Sequence, residues 1–298
     1  MQVPASIDSL IPADMAAKAE NVGVAKAKLG PYRMFSLAIL AGAFIALGAI
    51  FSTTTSTGGA DLPFGVTRLL AGLTFSLGLI LVVIAGAELF TGNNLIVMAW
   101  ASRKVTTAQL VRNWVIVYLG NFVGSIVTAY LMFLSKQFMF SGGALGLNAL
   151  NIAHGKSGLG FTQALVLGIF CNALVCLAVW LCMGARSSTD RVFLIIPPIT
   201  AFVAAGFEHS IANMYFIPVA LFIKAGAAPA FWEAIGKTAA DFPNLTWGNF
   251  FLANLLPVTI GNIIGGALMV GLVYWSIYLR PSWTGKPGIE SVQNASEK

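Results

Sequence analysis

Six stretches of apolar residues divide this chain, at 34–51, 66–88, 112–134, 161–183, 192–223 and 249–278. Each is about as long as the ~20 residues that a helix needs to cross a bilayer. Backbone groups in lipid have no water to bond with, so uniformly apolar spans of this length satisfy themselves as helices. The chain is 57% hydrophobic and 9% charged, where soluble domains carry roughly 25% charged residues. The sequence therefore predicts an all-α membrane protein with one transmembrane domain at 34–279. A polar, mildly amphipathic cytoplasmic segment, 1–33, precedes it. Pro12 can open a short helix there, lying on the membrane surface or acting as a lid. A polar tail, 280–298, follows and is expected to be disordered.

The net charge of +6 comes from basic residues spread singly between the spans, which is not the basic stripe of a nucleic-acid binder. Cys171, Cys176 and Cys182 share one apolar span without C-x-x-C spacing; they read as packing residues, not as a disulfide or metal set. The N-terminus lacks the basic region and short apolar core of a cleavable signal peptide. Twelve of the 17 basic residues fall in the N-terminus, the 103–112 and 186–191 loops and the tail. By the positive-inside rule both termini are expected to be cytoplasmic.

The fifth span contains V-A-A-G-F-E-H-S-I-A-N-M-Y-F-I-P, from Val203 to Pro218. Ionisable groups at that depth are costly and usually face a cavity, and Ser210 and Asn213 compete with helical backbone bonds. With Pro197, Pro198 and Pro218 nearby, the stretch predicts a helix broken at Glu208–Ser210.

The chain also repeats itself. Gly86–Asn93 and Gly206–Asn213 both read G-x-E-x-x-x-x-N. The third and sixth spans share N-x6-G-N-x-x-G, at Asn113, Gly120, Asn121, Gly124 and at Asn254, Gly261, Asn262, Gly265. Three spans per copy is an odd number, so the second copy is inverted, as in transporters and channels with sites at broken helices. The second and fifth helices are the broken ones. Glu88 and Glu208 are repeat equivalents. One reading makes them structural, each accepting backbone amides freed at a break, with Asn93 and Asn213 beside them; the other puts Glu208 in contact with the permeating species. The G-N-x-x-G residues read as close-packing glycines with asparagines bonding across helices.

His209 has Leu89 as its counterpart, so the repeat does not require it. It can be neutral or cationic near physiological pH, and the helix restarting after it turns a positive dipole towards the break. The position suits an anion. Thr91 and Asn172 are candidates for orienting hydrogen bonds there, or for satisfying neighbouring backbone.

On these residues the chain resembles the formate–nitrite transporter family. The resemblance rests on Ala205–Met214, Gly86–Gly92 and P-V-T-I-G-N-I-I-G-G at Pro257–Gly266, and it runs from about Ser9 to Leu279. The opening S-L-I-P-A-D-M-A, the stretch from Phe75 and N-x-L-V-C-L-A-V-W from Asn172 are most similar to the formate channels. Gly92-Asn93-Asn94 departs from their serine-rich version, towards the nitrite branch. The resemblance implies a homopentamer with one pore per protomer and an aquaporin-like bundle. It implies that His209, Thr91 and Asn172 line the central site, and that Phe75, Leu79, Leu89, Phe90, Val175 and Phe202 form hydrophobic constrictions. Lys156 matches a basic residue near the periplasmic entrance.

The reading is a bidirectional inner-membrane conduit for formate, either passive or proton-linked through His209. Apolar rings block bare ions, and a protonated weak acid passes them as a neutral molecule. Nitrite or hydrosulfide would suit the same device, and a strictly proton-coupled formate symporter is the other transport reading. An enzyme is disfavoured by the lack of a metal cluster or nucleophile–base pair. No cofactor is expected.

Overall fold

A computed structural model describes residues 8–59 and 62–280 as helices and connecting turns, with no strand among them. Helix α1 (Pro12–Ala27) starts at a proline, whose missing N–H costs nothing in a first turn. The first half continues with α2 (Pro31–Ser56), α3 (Phe64–Ala85), a 3₁₀ turn at Gly92–Ile96, α4 (Val97–Ala101) and α5 (Thr107–Leu134). The second half runs through α6 (Ala144–Ser157), α7 (Phe161–Gly184), α8 (Ser188–Ala204), α9 (Ser210–Gly226), α10 (Pro229–Ile235) and α11 (Trp247–Tyr278). Capping boxes at Thr106/Gln109 and Ser187/Asp190 start α5 and α8.

Helices α2, α3, α5, α7 and α11 are each long and apolar enough to cross a membrane. The remaining span is divided: α8 and α9, of 17 residues each, flank the break at Ala205–His209. Beyond it, α10 turns 112° away from α9. The break begins at Ala205, three residues before the expected Glu208, because Gly206 ends α8. Helix α11 contains two π-helical stretches, at Phe250–Leu255 and Ile264–Leu272.

The repeat motifs explain how the halves pack. α5 lies on α2, and α11 lies on α7. A Cβ on Gly124 would sit on the carbonyl oxygen of Ile39, and one on Gly265 would sit on that of Ile169. Only glycine lets the backbones come this close.

Helix α1 is bound to the bundle. Met15, Ala16 and Ala19 pack with Leu95, Met98, Cys176 and Trp180, against which Tyr274 and Trp275 of α11 also rest. Ala27 joins Ile96 and Ala99. The two ends of the described chain thus meet on one face of the bundle. Buried Glu20 pairs with Lys104, and Arg112 bonds to the carbonyls of Ala27 and Leu29. The expected tail lies, beyond Arg280, outside the described residues.

Candidate functional site

Both broken spans end their first half in the same way. Gly86 (φ 82°) and Gly206 (φ 77°) take the left-handed conformation that stops α3 and α8. The freed backbone is then held by asparagine. Asn121 donates to the carbonyls of Glu88 (2.9 Å) and Ala38 (2.8 Å) and accepts from the Phe90 N–H (2.9 Å). Asn262 donates to Glu208 (2.9 Å) and Gly168 (2.8 Å) and accepts from the Ser210 N–H (2.9 Å). The Glu88 and Glu208 amides donate to Leu37 and Leu167, each at 3.2 Å. An unpaired buried backbone group costs ~1–3 kcal/mol, so these two asparagines keep the breaks open.

The glutamate carboxylates do something else. One of the two sequence readings has them accept the freed amides; side chains occupy them instead, because Asn121 and Asn262 hold the backbone there. Glu88 takes Lys26 Nζ at 2.6 Å and Asn93 at 2.7 Å. Glu208 takes Lys156 Nζ at 2.7 Å, Asn213 at 2.7 Å and Asn254 at 3.1 Å. Asn93 also donates to Asn113 (2.9 Å) and Asn213 to Asn254 (2.7 Å). Asn113 donates to the Lys26 carbonyl and Asn254 to that of Lys156. Each half therefore carries a Lys–Glu–Asn–Asn cluster, one facing α1 and one under the C-terminal end of α6.

A cavity of about 970 Å³ leads down beside the second cluster. Arg68, Lys156, Glu208 and Asn213 contribute polar groups to its wall; Phe75, Phe202 and Phe216 contribute rings; and His209 lies at its depth. The rings of Phe75 and Phe202 meet edge-on at 5.6 Å, and Phe202 stacks on His209 at 5.9 Å. Lys156 Nζ lies 5.6 Å from the Phe216 ring.

His209 is the N-cap of α9. Its Nδ1 accepts the Ala212 N–H at 3.0 Å, and its Nε2 is 3.0 Å from Thr91 Oγ1. An accepting Nδ1 carries no hydrogen, so the neutral ring holds its proton on Nε2 and donates it to Thr91. A second proton would have to go on Nδ1, and the cap bond would break. The ring and hydroxyl come from opposite halves of the chain and meet between the two breaks.

The formate/nitrite transporter family profile matches residues 13–276, nearly the whole chain. The chain belongs to the formate/nitrite transporter family. It is 49% identical over 280 residues to the formate channel FocA of Escherichia coli strain K12, covering 94% of this chain and 98% of that one. It is 44% identical to FocA of Haemophilus influenzae, over 89% and 93% of the two chains. Among solved structures it is similar to a pentameric formate channel with formate bound, at 51% identity and a TM-score of 0.80, covering 84% of this chain and 98% of that one.

The candidate site residues named from the sequence and from the family resemblance fall into separate places. His209, Glu208, Lys156, Phe75 and Phe202 share the cavity wall, and Thr91 stands behind His209. Leu79, Leu89, Phe90 and Val175 are core residues off that wall; Phe90 packs its ring on Trp114 and Tyr118 of α5. Asn172 is fully buried, donating to the carbonyls of Thr91 (3.3 Å) and Asn262 (2.7 Å) and to Asn94 (3.1 Å). It ties the first break to α11. Sequence reasoning missed Lys26, taken only as one more basic residue of the N-terminal segment. Lys26 serves Glu88 as Lys156 serves Glu208, but from 62 residues away where Lys156 is 52 away, so the repeat did not single it out.

Proposed function

We propose that the protein conducts formate in both directions across the inner membrane, as a homopentamer with a pore through each protomer and both termini in the cytoplasm. The observation that carries the reading is the His209–Thr91 pair at the depth of a cavity walled by Phe75 and Phe202. It offers one proton-bearing group in an apolar passage, in a member of a formate/nitrite transporter family. The formate channels similar to it over most of their length support formate as the substrate.

The mechanism follows from the cap. The cationic ring must give up the Ala212 bond, so it forms only when an arriving anion supplies opposite charge. Formate at the depth of the cavity does so. A proton from water in the cavity, drawn onto Nδ1, makes the ring an imidazolium. The Nε2 proton leaves Thr91 and passes to a formate oxygen. The ring, left with its proton on Nδ1, returns that proton to water and takes one on Nε2, which restores the cap. Formic acid and a neutral ring result, and the neutral molecule crosses the apolar residues that exclude an ion. Release of the proton on the far side regenerates the anion. Asn172, Asn121 and Asn262 hold the frame; Lys156 with Glu208 polarises the wall that faces the periplasm.

The test is formate flux through purified protein in liposomes, with pH and membrane potential clamped. Dissipative flux in both directions supports a conduit, and uphill movement tied to a proton gradient makes the protein a coupled symporter. Chloride carried as readily as formate refutes the weak-acid mechanism.

A further inference from the structure

Arg68 is the one cation on the cavity wall, among the described residues, whose charge is not matched by a carboxylate. It stands in the second turn of α3, half-buried. Its Nε donates to the Ala204 carbonyl at 3.1 Å and its Nη2 to the Val203 carbonyl. These carbonyls end α8, where the helix dipole is negative. Left bare, they would turn negative charge towards an anion in the cavity.

The two bonds use one edge of the guanidinium, Nε with Nη2. The end-on fork, Nη1 with the second hydrogen of Nη2, meets no protein acceptor among the described residues. The acid on this wall, Glu208, has both oxygens engaged by Lys156, Asn213 and Asn254. A guanidinium fork presents two parallel N–H bonds, the geometry that fits the two oxygens of a carboxylate. The second half of the chain lacks this group: the residue standing before Gly206 as Arg68 stands before Gly86 is Ser188.

We propose that Arg68 is an outer station for small carboxylates. Its fork takes both oxygens of formate in the cavity before the anion moves on to His209, and it does so on one face of the membrane only. The proposal rests on the conduit reading above. Planar geometry sets the preference: a carboxylate uses both bonds, whereas an anion with one acceptor atom, such as hydrosulfide, uses one.

The experiment compares wild type, Arg68→Lys and Arg68→Gln in planar bilayers, with formate supplied first on one face and then on the other, and gel filtration reporting the oligomer. Lysine keeps the charge and loses the fork; glutamine loses both. Both variants should raise the formate concentration for half-maximal flux from the cavity face by roughly three- to tenfold, the range for a charge-assisted pair in a wet site. The opposite face should shift much less. Hydrosulfide should respond to glutamine and hardly to lysine. Lysine behaving as wild type with formate would make charge alone sufficient and overturn the station. Equal shifts from both faces, or loss of the oligomer in both variants, would make Arg68 a cap of α8 and overturn it as well. A wild type that carries no formate would remove the conduit reading itself, a result distinct from any of these.

Discussion

Replacing Lys156 alone by Met should do more harm than replacing Lys156 and Glu208 together. Lys156 Nζ is 2.7 Å from Glu208 Oε1, and the two side chains keep 19% and 4% of their exposure. Without the lysine, a carboxylate remains in the wall with Asn213 and Asn254 on its other oxygen. Breaking a buried pair from one side costs ~3–5 kcal/mol. Lys156 is partly wet and two amide donors remain, so about 2–3 kcal/mol is expected here. Glu208→Gln removes the orphaned charge, and its carbonyl oxygen keeps the asparagine bonds. The double variant Lys156→Met/Glu208→Gln should then recover roughly 1–2 kcal/mol. The matching cycle at Lys26 and Glu88, 2.6 Å apart with 28% and 7% exposure, should show a smaller coupling because that pair keeps more water. The assay is denaturant unfolding of the detergent-solubilised oligomer for each single variant and each double. Additivity within about 0.5 kcal/mol at 156/208 would refute the argument, and a larger coupling at 26/88 would refute the ranking by burial.

Three further outcomes are expected. Gly124→Ala and Gly265→Ala should each destabilise the bundle by about 1–3 kcal/mol, because each new Cβ meets a carbonyl oxygen, whereas Gly65→Ala, with open space around it, should be neutral or slightly stabilising in unfolding measurements. His209→Asn should fold and assemble, because its amide oxygen can still cap the α9 amide, and should lose the steep part of the pH dependence of formate flux; wild-type rates and pH profile would make His209 a cap alone. Single cysteines at Gly58, Ser141 and Gly226 in a cysteine-free background should react with an impermeant periplasmic thiol reagent in sealed cells, and one at Ser187 should not; labelling at Ser187 would reverse the orientation.

The spans and their division into two inverted halves were legible because apolarity and the G-x-E and G-N-x-x-G patterns are local properties of the chain. The acids were legible through the repeat. Their partners were not: Lys26 lies 62 residues before Glu88, but Lys156 lies 52 before Glu208, so no single offset aligns both. The same drift separates Asn93 from Asn113 by 20 residues and Asn213 from Asn254 by 41. His209 was legible as an ionisable group at a break. Its service as an N-cap, which fixes the tautomer, depends on how α9 restarts, and no pattern encodes that. Asn172 was legible as a polar residue near the site, but its bonds join three helical segments that meet only in the folded chain.

The pairing of one histidine with one threonine across the two halves has a consequence for ancestry. Each Lys–Glu–Asn–Asn cluster draws its members from a single half, so a half-length chain holds all the parts of its own. Two identical half-length chains assembled antiparallel would place matching residues about their two-fold axis, giving two histidines or none. A lone histidine opposite a leucine, His209 against Leu89, requires two copies that are free to diverge, as the duplicated halves of one chain are. Duplication therefore preceded the present pairing of His209 with Thr91.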